Sequence, residues 1–353
     1  MNTHLTVTMM TMMTMISKPD FKKAEWAAYK LLYDNGINQL PVKVKELAKI
    51  YPNLKIKTYS WFGKESGKSI DEVCSFAHSN EGCCYYKRDV HQYIILYNDT
   101  VKNKGRIRWT VAHELGHFIL KHNEITDKPV LARSSLTKTE YETFEKEADC
   151  FARSLLAPQS VLLALERLAL SDVKELCNLS KEASINTLKF LNEGKKLGRK
   201  FDSNDALVKR FSGFIFAKNN EHQCRNCKCV FICCNPSYCP VCGSKKLKHK
   251  KGGTYMKYNG FTLDENGRAL RCPKCDNEEI SNGEYCKICG VNIVNRCTNR
   301  YFDNYTGEEI INCDKIAEGN ARYCVHCGHK TTFFEKSLLD DWENTISDED
   351  LPF

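Results

Sequence analysis

Apolar positions early in the chain recur at helical spacing: Ala24, Ala27, Ala28, Leu31 and Leu32 line one face of an amphipathic helix. A shorter helix is predicted over residues 42–50, with Pro41 near its first turn. Residues 54–98 read as short strands and loops, closing on Tyr93-Ile-Ile-Leu-Tyr97, a run apolar enough for a buried strand. Two longer helices follow, over about 106–121 and 139–156, and the second carries the apolar stripe Phe144, Ala148, Phe151 and Leu155. Pro158 and further helical sequence run to about residue 196, so this part of the chain is α+β.

Past residue 222 the periodicity gives way to short cysteine-rich segments with Gly, Asn and Lys. The expected organisation is a disordered leader over 1–20, rich in Met and Thr, and a domain over 21–196 whose trailing helical unit is 158–196. A linker over 197–222, cysteine modules over 223–258 and 268–334, and an acidic tail over 335–353 complete it.

Composition narrows the class. Of 353 residues, 42% are hydrophobic and 27% charged, which excludes wholesale disorder and collagen-like repeats. No apolar run approaches the length of a membrane span, so no membrane partner is expected. No Lys or Arg precedes Lys18, and Thr interrupts the apolar residues before it, so a secretion signal is not expected and the cytoplasm is. The chain has 20 cysteines, and in that reducing compartment the spaced ones are expected as metal ligands rather than disulfides. The net charge of +8 would otherwise point to an anionic partner. Three four-thiolate zinc sites, at about −2 each, would cancel most of it.

The strongest chemical signal is His113-Glu114-Leu115-Gly116-His117. On a helix, positions i and i+4 share a face, so both imidazoles reach one ion while Glu114 faces a bound water. Zinc catalysis needs a third protein ligand. Glu140, Glu142, Glu145, Glu147 and Asp149 on the next helix all offer one. A helical wheel puts Glu145 and Glu147 at the edges of the apolar stripe, with Asp149 pointing further away, and does not separate the two glutamates. His122, about 140° round the helix from His117, is expected behind the ligands or on the surface. Cys74, Cys83 and Cys84 lack ligand spacing and read as ordinary thiols. Arg106 and Arg108 are candidates for substrate positioning, and Tyr97 and Tyr141 for stabilising an oxyanion.

The segments Arg106-Ile-Arg-Trp-Thr-Val-Ala-His-Glu-Leu-Gly-His-Phe-Ile-Leu120 and Glu147-Ala-Asp-Cys-Phe-Ala-Arg-Ser-Leu-Leu-Ala-Pro158 resemble the two signature blocks of the ImmA/IrrE metallopeptidases. The resemblance covers about residues 20–195. It implies a zincin-like fold, a cytoplasmic zinc endopeptidase with Glu114 as general base, and Glu147 as third zinc ligand beside His113 and His117. It also implies a helix-turn-helix repressor as substrate, hence a role in transcription regulation. A small helix-turn-helix-like unit would correspond to residues 172–191, where packing rather than DNA reading is expected.

Cys224, Cys227, Cys239 and Cys242 form two CxxC knuckles with zinc-ribbon spacing, and Cys272, Cys275, Cys286 and Cys289 form a second ribbon. A glycine after the second Cys of a knuckle accepts the left-handed backbone that closes it. A shift of 38 residues maps Cys275, Cys286 and Cys289 onto Cys313, Cys324 and Cys327. Cys297 is the nearby thiol that completes this third set, with His326 and His329 as rivals. Cys229, Cys233 and Cys234 are surplus. Lys245, Lys246, Lys248, Lys250, Lys251 and Lys257, with Tyr255 and Tyr258, are expected to form a basic, aromatic partner-binding loop.

The sequence thus predicts one catalytic and about three structural Zn2+, in a peptidase whose ribbons bind its protein partner. The competing reading is a non-proteolytic zinc-ribbon regulator or nucleic-acid-binding protein that uses the peptidase fold to hold a partner.

Overall fold

The computed structural model describes residues 18–345 apart from 167, 250–255 and 281. Most of the expected leader, Lys250, Lys251, Tyr255 and residues 346–353 of the acidic tail lie outside the described residues. The chain divides after Phe216 into two units. Among the described residues no helix is long and apolar enough to cross a membrane.

The first unit opens with α1 (Phe21–Asp34), capped by the Asp20 side chain, which accepts from the Lys23 N–H. It buries Ala24, Ala28, Leu31 and Leu32, the predicted face. Then come α2 (Val44–Ala48), β1 (Leu54–Thr58), α3 (Tyr59–Ser66) and α4 (Ile70–Ala77). The strands β2 (Gly82–Lys87) and β3 (Gln92–Tyr97) join β1 in a three-stranded sheet of order β1-β3-β2. β3 is central, parallel to β1 with Leu54 opposite Tyr93 and antiparallel to β2 with Gly82 opposite Tyr97. Its buried run Tyr93, Ile94, Ile95 and Leu96 is apolar on both faces because both are covered.

Two helices on this sheet carry the predicted motifs. Asn103 caps α5 (Lys104–Ile119) by accepting from the Arg106 N–H, and a left-handed Lys121 ends that run before α6 (His122–Thr126). A Thr137/Glu140 capping box starts α7 (Lys138–Leu156). α5 and α7 cross where Gly116 meets Ala148: a Cβ at 116 would lie 3.1 Å from the Phe151 ring and 3.2 Å from the Ala148 Cα. Around this crossing lie Val111, Ala112, Leu115, Phe151 and Leu155, all fully buried.

Further on are α8 (Gln159–Leu163), α9 (Leu170–Cys177), α10 (Lys181–Lys196) and α11 (Ala206–Arg210). Val173, Cys177 and Leu191 of α9 and α10 lie in the main core, so this pair packs. The expected linker needs correction: within 197–222, Leu207 and Phe211 join the same core.

The second unit is built on four-thiol groups and little regular structure. The strands β4 (Glu221–Cys224), β5 (Val230–Ile232) and β6 (Leu247–His249) form one sheet of order β5-β4-β6. An exposed hairpin of β7 (Arg300–Phe302) and β8 (Glu309–Ile311) fills the long loop between Cys297 and Cys313.

Candidate metal centre and its surroundings

His113 and His117, one turn apart on α5, bring their Nε2 atoms to 3.1 Å. Glu145 of α7 completes the group, with one carboxylate oxygen 3.5 Å from each Nε2. Ligands at about 2.05 Å from a tetrahedral zinc ion stand about 3.3 Å apart, so three nitrogen and oxygen donors at these separations fit that ion with one position left open. The three donors and Glu114 line a cavity of about 250 Å³ whose walls also include Ser79, Gly82, Trp109, Leu131 and Tyr141.

The expected third ligand, Glu147, is corrected. Glu145 and Glu147 leave α7 on opposite edges of its buried stripe, and α5 crosses only the edge that carries Glu145. Glu147 turns the other way, toward the start of α1. One oxygen accepts from the Asp20 N–H at 2.7 Å and the other pairs with His122 Nε2 at 2.9 Å.

Two acids set the histidine tautomers. Asp149, one turn after Glu145, lies 3.0 Å from His113 Nδ1, leaving the Nε2 lone pair for the ion. A wheel centred on the apolar stripe reports burial and points Asp149 away, whereas the site lies at the stripe's edge. An acid four residues after another on one helix was the available signal. On His117, Nδ1 lies 2.9 Å from Nδ1 of the fully buried His122. Because the Glu147 carboxylate only accepts, His122 donates from Nε2 and accepts at Nδ1. His117 then donates from Nδ1 and presents Nε2 to the ion. His122 therefore stands behind the ligands, and Glu147 acts through it.

The electrostatics follow the same contacts. Burial holds the Glu114 carboxyl up to about 7. Burial also pushes His117 down to about 4, keeping it neutral as a ligand must be. Against the cost of burial, Asp149 and Glu145 hold His113 above its ordinary range, and the two histidines hold Glu145 well below the usual carboxylate range.

β2 forms the sheet edge nearest α5, and Gly82 lets it come close. A Cβ there would lie 2.5 Å from the Thr110 methyl and 2.8 Å from the Leu96 carbonyl oxygen. Arg106 is held by Glu81, with its Nε donating at 2.9 Å. Arg108 donates from Nε to the Cys177 carbonyl, outside the cavity wall. Tyr141 lines the cavity. Tyr97 does not; it lies beside Lys45, whose Nζ donates to its hydroxyl at 2.7 Å. Cys83 and Cys84 are buried thiols held protonated by desolvation.

In the second unit the three expected sets of four thiols each converge: Cys224, Cys227, Cys239 and Cys242; Cys272, Cys275, Cys286 and Cys289; Cys297, Cys313, Cys324 and Cys327. Close sulfur pairs span 3.3 Å for Cys297 and Cys327 to 3.8 Å for Cys313 and Cys324, near the roughly 3.8 Å edge of a tetrahedral Zn–S₄ site. Gly243, Gly290 and Gly328 close their knuckles with φ of +67°, +70° and +76°. The surplus Cys229 is buried against Cys227 and Cys239.

The basic loop is corrected at Tyr258. Lys248 belongs to β6 and pairs in register with Gln223, Lys245 lies over the Tyr238 ring, and Tyr258 is buried, donating to the Cys227 carbonyl at 2.6 Å. Lys245, Lys246, Lys248 and Lys257 are all exposed, and Lys250 and Lys251 lie outside the described residues.

Residues 73–189, about one third of the chain, match the Peptidase_M78 family, described as the IrrE N-terminal-like domain. The matched stretch holds α5, α7, β2 and β3, and with them every donor of the two-histidine, one-glutamate group. No curated protein matches the chain.

Proposed function

We propose, from an IrrE N-terminal-like domain whose two histidines and one glutamate stand at zinc spacing beside a buried carboxyl, that the protein is a zinc endopeptidase. The observation that carries this reading is Glu114, raised to about 7 by burial, one residue from a ligand and facing the same cavity as the three donors. Zinc, when bound, supplies a Lewis acid that polarises the scissile carbonyl and acidifies water. Glu114 takes the water's proton and delivers it to the leaving amine. Asp149 and the His122–Glu147 pair hold the ligand rings, and Tyr141 stands at the cavity wall where a developing oxyanion would be met.

The proposed substrate is a helix-turn-helix repressor, in the reducing cytoplasm, with the thiol groups of the second unit holding three further zinc ions and presenting the partner. The test is incubation of the zinc-loaded protein with a repressor encoded beside it, followed by intact mass spectrometry. A single cut that disappears in Glu114→Gln while zinc content is unchanged supports the proposal. Regulation that persists undiminished in Glu114→Gln, with no cut by the native protein, overturns it in favour of a non-proteolytic regulator.

A further inference from the structure

The second unit contains one short pattern three times, Tyr-Cys-x-x-Cys-Gly: residues 238–243, 285–290 and 323–328. The first and third copies pack on each other reciprocally. Tyr238 covers Gly328, where a Cβ would lie 2.7 Å from its ring, and Tyr323 covers Gly243 at 3.2 Å. Their backbones are exchanged in the same sense. The N–H groups of Ser237 and Tyr238 donate to the Val325 carbonyl at 2.9 and 3.0 Å, and those of Arg322 and Tyr323 to the Pro240 carbonyl at 2.7 and 2.9 Å. The contact is a local two-fold: the two residues before one knuckle's first Cys meet the carbonyl just after the other's.

The middle copy has the same backbone. Gly290 has φ +70°, its N–H donates to the Cys286 carbonyl at 2.9 Å, and Ile293 N–H bonds to Glu284 O as Thr331 N–H does to Arg322 O. Yet among the described residues no side chain covers it. Nothing lies within 4 Å of a Cβ placed at Gly290, and Tyr285 and Ile288 are 58% and 68% exposed. At the matching positions in the paired copies Tyr238 and Tyr323 are half-buried and Val241 is fully buried, while His326 is exposed.

We propose that this knuckle pairs with the same knuckle of a second copy of the chain, by the two-fold contact that residues 238–243 and 323–328 already make within one chain. Self-pairing is favoured by charge. In the observed contact, the residue two before the first Cys sits against the residue just after the other knuckle's first Cys. At the middle knuckle these are Glu284 and Lys287, so a two-fold pair sets each Glu284 against the partner copy's Lys287, twice. Both side chains are exposed there; within the chain they reach Arg296 and Glu279. A contact of this size makes a weak dimer, with the dimer fraction rising between about 1 and 100 μM protein.

The test is sedimentation velocity of the zinc-loaded full chain across that range. Concentration-dependent dimerisation is expected, weakened at least tenfold in Tyr285→Ala, in Glu284→Lys and in Lys287→Glu. Mixing the two charge variants should restore it, because each lysine then faces a glutamate across the two-fold. Zinc content and circular dichroism of each variant check that the knuckles remain folded. A chain that stays monomeric through 100 μM overturns the proposal, as does a dimer indifferent to all three substitutions or a mixture no tighter than its components.

Discussion

Replacing Glu145 by Ala tests the geometry of the metal centre most directly. Glu145 supplies the only oxygen donor in the group and sits at 3.5 Å from both imidazole nitrogens, so its loss leaves two donors on one helix. Structural zinc sites with four ligands bind with about 10–16 kcal/mol, or about 3–4 kcal/mol per ligand, which is roughly a 100- to 1,000-fold loss of affinity for one ligand removed. Asp149→Asn should cost less, about 10- to 100-fold, because Asp149 touches only the far nitrogen of His113. The assay is metal analysis after dialysis against a graded zinc buffer. The native protein is expected to hold four zinc ions per chain and Glu145→Ala three, the thiol sites being unaffected. The reasoning is refuted if Glu145→Ala holds its fourth zinc as tightly as the native protein does.

The relay behind His117 predicts that His122→Phe, which keeps a ring in the buried slot but has no acceptor, lowers zinc affinity about 10- to 100-fold and shifts the d–d spectrum of the cobalt-substituted site. A second expectation concerns pH. Glu114 has its folded-state value raised from 4.5 to about 7, so the folded chain holds the proton more tightly, and the stability this lends, present in full below about 4.5, is lost as pH rises to about 7. In metal-free protein Glu114→Gln should therefore exceed the native chain by up to about 3 kcal/mol above pH 7, with the gap closing toward pH 4.5. Urea denaturation read through Trp26, Trp61 and Trp109, which all lie in the first unit, checks it. Gly82→Ala pushes a methyl into Thr110 and the Leu96 carbonyl and should cost about 1–3 kcal/mol, seen as a lowered melting temperature. Cys297→Ser should remove one zinc where His326→Ala removes none, by the same metal analysis.

The parts of the molecule that were legible in the sequence are those whose chemistry is local. His113, Glu114 and His117 lie within one helical turn, the knuckle cysteines within four residues, and the 38-residue repeat pointed to Cys297 because its companions recur at fixed offset. What was illegible depends on which neighbour docks on which edge of a helix. Glu145 and Glu147 are equivalent on a wheel and differ only because α5 crosses one edge of α7 while α1 and His122 take the other. Within the expected linker, Leu207, Val208, Phe211, Phe214 and Ile215 recur at helical spacing, a period short enough to be masked by the polar residues before it, and Leu207 and Phe211 join the core. Tyr258 read as a surface aromatic among lysines, but its hydroxyl has a backbone acceptor in the ribbon across a long stretch of chain.

The clasp at Gly116 and Ala148 separates how the centre works from what it acts upon. All three donors ride on two rods locked backbone to backbone, while the cavity wall is completed by residues such as Ser79 and Leu131, which lie outside both rods. Those wall segments can be exchanged or lengthened to admit a different polypeptide while the grip on the ion stays as it is. A side chain larger than hydrogen at position 116 does the reverse, leaving the wall intact and prising the donors apart.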